Sequence, residues 1–87
     1  MIIVSQGKTA HINYDNIEAT YLLKKDDKIQ INMRGNYDYT IGEYETMERA
    51  KEVLQEIIKS YRKYRTAECD GPTKVLQETT VYEMSED

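Results

Sequence analysis

ETMERAKEVLQEIIKSYRKYR, residues Glu45–Arg65, places apolar side chains at Met47, Ala50, Leu54, Ile57, Ile58 and Tyr61, with Val53 flanking. Steps of three and four residues put these on one stripe of an α-helix. Thr46 stands where a hydroxyl can accept a bond from an orphan backbone N–H of the first turn. Glu45 and Glu48 lie at the positive end of the helix dipole, and Lys59, Arg62, Lys63 and Arg65 at the negative end. Cap, stripe and charge gradient agree. No other stretch has a long helical period, so the core must form against this helix. On this reading Leu54→Ala costs about 2–5 kcal/mol.

The residues before the helix have the period of strands. Ile2, Ile3 and Val4 precede a Gln6-Gly7 turn, and Thr9–Tyr14 alternates with Ala10, Ile12 and Tyr14 on one face. After Asp15-Asn16, residues Ile17, Ala19, Tyr21 and Leu23 alternate with Glu18, Thr20, Leu22 and Lys24 as a third strand. Beyond Lys25-Asp26-Asp27, the residues Ile29, Ile31 and Met33 alternate with polar neighbours. Gly35-Asn36 closes the next turn, and Tyr37, Tyr39 and Ile41 form one face of a fifth strand. Connections this short predict sequential antiparallel pairing. The expected fold is α+β: a five-strand antiparallel meander packed against one long C-terminal helix, followed by an extended acidic tail.

The expected organisation is a single domain over residues 1–65 and a tail over 66–87. The first carries 11 Lys/Arg against 10 Asp/Glu. The second carries one lysine against six acids, within a chain of net charge −4. Asp70-Gly71-Pro72 reads as a stop, and Thr79–Glu83 as a candidate edge strand for this sheet or a neighbour's. The chain has 87 residues, is 39% hydrophobic, and draws all its aromatic bulk from eight tyrosines. A core this lean predicts self-association, hence a homo-oligomer. No apolar run reaches the ~20 residues of a membrane span. The first residues lack the basic-then-apolar pattern of a leader, so the expected location is cytoplasmic.

Cys69 and His11 stand alone, without zinc spacing, and Asp26-Asp27 falls short of a calcium loop. No cofactor or metal is expected. No phosphate loop, dinucleotide-binding turn or nucleophile elbow is present, and the reading is of a protein that binds rather than catalyses. The candidate ligand-binding residues fall in two groups. Tyr61, Arg62 and Arg65, with Lys59, Lys63 and Tyr64, suit phosphate pairing and base stacking near the helix end. Arg34, Tyr37 and Tyr39 offer the same chemistry around the fourth turn. The competing reading makes the first group a solvated, dipole-complementing face and puts Tyr37 and Tyr39 on the core side of the fifth strand.

Three segments carry a resemblance: Met1–Gln6 (MIIVSQ), Gly42–Ile58 (GEYETMERAKEVLQEII) and Val81–Met84 (VYEM). Together they resemble a group of short phage and prophage proteins of Gram-positive bacteria. The resemblance implies a small accessory protein in the bacterial host cytoplasm that counters host defence. It would do so by oligomeric capture of an anionic nucleotide signal or by binding a host defence protein, with the acidic tail as the docking element in the second case. A nucleotide-degrading enzyme using His11 is the third alternative.

Overall fold

The computed structural model describes residues 1–70 and 81–87, with Tyr64 and 66–70 as backbone only. Its elements are β1 (Ile2–Val4), β2 (His11–Asn13), a 3-10 turn (Tyr14–Asn16), β3 (Ala19–Lys25), β4 (Lys28–Arg34), β5 (Asp38–Tyr44), α1 (Met47–Asp70) and β6 (Val81–Glu83). The class is α+β, and no helix among the described residues is long and apolar enough to cross a membrane.

The five-strand meander is not formed. The strands make two three-stranded sheets, ordered β2-β1-β6 and β3-β4-β5. The first hairpin does not continue into β3 because the 3-10 turn intervenes. Asn13 Oδ1 accepts from the Asp15 N–H at 3.1 Å and caps that turn. The Tyr14 N–H donates to Met1 O at 2.9 Å and folds the turn back onto the start of the chain. A short connection forces pairing only when nothing in it redirects the backbone, and here an Asn-capped helical turn does.

The helix is not the last element either. β6 returns and pairs in parallel with β1, Ile3 opposite Tyr82, which makes β1 a central strand with Ile3 fully buried. Further bonds hold the last residues. Met84 N–H donates to Val4 O at 3.0 Å, the Tyr44 hydroxyl to Ser85 O at 2.7 Å, and Arg49 Nε to Asp87 O at 2.9 Å. Thr79 and Thr80, proposed for the same strand, lie outside the described residues.

Gln6 joins the two sheets. Its N–H donates to Ile41 O at 2.8 Å, and its side-chain amide donates to Glu43 O and accepts from Glu43 N–H, as a neighbouring backbone would. Ile41 can offer that carbonyl because β5 bulges there: Ile31 opposes Gly42 while Asn32 opposes Thr40, so Ile41 is the extra residue.

Thr46 caps α1 as expected, its Oγ1 accepting from Arg49 N–H at 3.1 Å. The helix runs past Arg65 to Asp70, the residue before Gly71-Pro72. Its buried stripe is Ala50, Val53 and Ile57, all at zero exposure. Leu54 and Ile58 are half-buried, and Met47 is exposed. The centre of the stripe is therefore Val53, rotated away from Leu54. α1 lies over β4 and β5, and meets Ile29, Ile31, Met33 and Ile41 in one core with Met1, Ile3, Tyr44 and Met84.

Candidate functional site

The predicted ligand-facing residues fall in separate places. Arg34 ends β4 on the sheet face opposite α1. Its Nε donates to Asp38 Oδ1 at 3.0 Å, and its guanidinium lies 5.9 Å from the Tyr21 ring centre. The hydrogen bond to the Asp38 carboxylate, reinforced by its charge, raises the Arg34 pKa above its ordinary value. Arg34 is thus matched to an acid of its own hairpin.

Tyr61 acts as a strut. Its hydroxyl donates to Asp15 Oδ1 at 2.7 Å, and its ring meets Tyr14 edge-on with centroids 4.9 Å apart. The Met1 ammonium donates to the other oxygen, Asp15 Oδ2, at 2.9 Å. The bond to that ammonium, then the bond from Tyr61, holds the Asp15 carboxyl below its usual value, and Arg65 adds a smaller push in the same direction. Arg65 therefore lies near the 3-10 turn. Arg62 is exposed one turn beyond Ile58 and lines a shallow depression with Lys59 and Gln55.

Tyr37 and Tyr39 do come together. Tyr37 sits in the three-residue β4–β5 loop, not in the strand, and is 73% exposed. Tyr39, in β5, is half-buried. Both line a cleft of about 180 Å³ with His11, Asn13, Asn16 and Asn36. The cleft exists because Gly35 lets the loop approach the 3-10 turn: a Cβ there would lie 2.7 Å from Asn16 O. The N–H of Gly35 donates to Tyr37 O at 3.0 Å and sets the loop.

Sequence reasoning did not gather the asparagines: Asn13 ends β2, Asn16 ends the 3-10 turn and Asn36 lies in the β4–β5 loop, and the three converge here. Their side chains offer donors and acceptors in a fork, and Tyr37 offers an open ring face. A volume of ~180 Å³ is below the ~300 Å³ of a typical ligand pocket and suits a single ring system rather than a whole ligand.

A second depression of about 380 Å³ lies on the other side of the same turn, between α1 and β3, lined by Tyr14, Ile17, Thr20, Leu54, Ile58 and Tyr61. Among the described residues no group of three or more His, Cys, Asp or Glu could hold a metal ion. Family models, curated proteins and solved structures gave no match to this chain.

Proposed function

We propose that this chain is a non-catalytic binding protein that captures a small, anionic, nucleotide-like molecule, with the base seated in the His11–Tyr37 cleft. The observation that carries the reading is Tyr37, a tyrosine left 73% exposed beside a cleft lined by His11, three asparagines, Ile12 and Ile17. Base–aromatic stacking contributes roughly 1–3 kcal/mol. The Asn13, Asn16 and Asn36 amides supply the edge contacts that such a ring would use. Arg34 belongs to the opposite face and has no part in this site. The resemblance to phage accessory proteins suits sequestration of a host signal. Docking through the acidic tail is less favoured, because Val81–Glu83 already pair with β1 of the same chain.

Titration calorimetry with mononucleotides and cyclic dinucleotides tests the proposal. Binding is expected for at least one of them, with Tyr37→Ala lowering affinity about tenfold and intact ligand recovered after denaturation. A cleaved product would favour the enzyme reading through His11. No binding, or an unaffected Tyr37→Ala variant, removes the proposal.

A further inference from the structure

The groove between α1 and β3 borders a free sheet edge. Among the described residues β3 pairs on one side only, with β4, while α1 lies over β4 and β5. This leaves Leu54 and Ile58 half-buried along the groove, Leu22 half-buried on the same face of β3, and Leu23 46% exposed on the other face. Edge strands are usually blunted by charge, and β3 carries Lys24 and Lys25 at one end with Glu18 just before the other. Glu18 and Lys24 lie equally far from Tyr21.

We propose that β3 pairs antiparallel with β3 of a second copy, about a two-fold axis through Tyr21. Directly opposed residues in such a pair project from the same face, so this axis yields one continuous sheet with both helices on one side. Tyr21 then opposes its counterpart and Ala19 opposes Leu23 on the outer face. On the helix side Thr20 opposes Leu22, and Glu18 opposes Lys24, twice per dimer. Two of the charges that would blunt the edge, Glu18 and Lys24, are satisfied between copies, and the two apolar grooves merge over the joined strands. Neighbouring registers are worse: an axis through Thr20 sets Glu18 against Leu22. An axis through Leu22 sets Glu18 against Asp26, and one through Leu23 sets Leu22 against Lys24 and Tyr21 against Lys25. The closed isologous geometry stops growth at two copies.

Sedimentation equilibrium of the full chain over a wide concentration range is the test, with Glu18→Lys, Lys24→Glu and the double variant. Both positions are exposed, and circular dichroism confirms that each variant is folded. The wild type is expected to dimerise. Each single variant converts two attractive contacts into repulsive ones and should weaken dimerisation about tenfold. The double variant should restore it, and an equimolar mixture of the two single variants should form a heterodimer that neither forms alone. A wild type that stays monomeric overturns the proposal. So does a dimer indifferent to the charge swaps.

Discussion

Replacing Gly35 by alanine sets two known effects against each other, and the structure decides which wins. Alanine narrows the unfolded ensemble, which stabilises by about 0.4–1 kcal/mol where the native backbone accepts it. The backbone does accept it, because no glycine among the described residues has a positive φ. Space is the obstacle. The new Cβ would lie 2.7 Å from Asn16 O and 3.4 Å from Ile17 Cδ1. A comfortable C···O contact is about 3.3 Å, so the 3-10 turn or the β4–β5 loop must move by roughly half an ångström. The nearest atom belongs to backbone, and the turn it belongs to is tied to Met1 and Asn13, so it cannot swing aside as a side chain would.

Overpacking of this kind costs about 1–3 kcal/mol, and the net loss after the entropic gain centres on about 1.3 kcal/mol, from the midpoints of the two ranges. For a domain of this size each kcal/mol shifts Tm by about 4–8 °C. Gly7→Ala is the control, since its new Cβ meets nothing closer than Thr9 Oγ1 at 3.8 Å. Thermal unfolding followed by circular dichroism should show Gly35→Ala several degrees below the wild type and Gly7→Ala level with it or slightly above. Equal Tm values for the two variants would refute the claim that the loop and the 3-10 turn are in direct backbone contact, and with it the walls of the cleft.

Packing and the titrating groups set the other expected outcomes. Ile57→Ala, at a fully buried position, should cost about 2–5 kcal/mol in denaturant unfolding, and Leu54→Ala, at a half-buried one, distinctly less; the reverse order would place the stripe back on Leu54. Burial pushes the Tyr44 phenol up to about 12, and Tyr82 rises as well, chiefly from burial and then from the charge of Glu56. A raised phenol contributes stability that is present below the unfolded value near 10 and lost as pH rises through the folded value. The protein should therefore lose stability between about pH 10 and 12, and Tyr44→Phe should flatten that limb, as read by denaturant midpoints across the range. Asp15 has the opposite sign. Its lowered folded pKa contributes stability above the unfolded value of about 3.9 that disappears as pH falls through the folded one, so Asp15→Asn should weaken the acid dependence of the unfolding midpoint.

The amino-acid sequence determined what local physics can determine. A 3.6-residue period and a Thr46 cap make α1, and alternation marks β4 and β5; in β3 it finds the strand but not the buried face, because Leu22, opposite Ile31, meets the core while Leu23 is 46% exposed. Its reach ended at two places where a few residues choose between partners far apart in the chain. Asn13 caps a 3-10 turn and so breaks the meander after the first hairpin, although Asn13 and Tyr14 read as the end of the second strand and Asp15-Asn16 as a plain turn. Thr79–Glu83 reads as a candidate edge strand with its partner left open; the fold gives Val81–Glu83 to β1 of the same chain, and the Tyr44 hydroxyl and Gln6 amide hold Ser85 and Glu86 just beyond it. The candidate cleft belongs to the second kind. His11, Asn16 and Tyr37 have no common spacing and become neighbours only because Gly35 leaves room for one backbone against another. Periodicity records which face of an element is apolar. Which element meets that face, and which side chains then share a corner, depends on contacts between distant residues that only the folded chain selects.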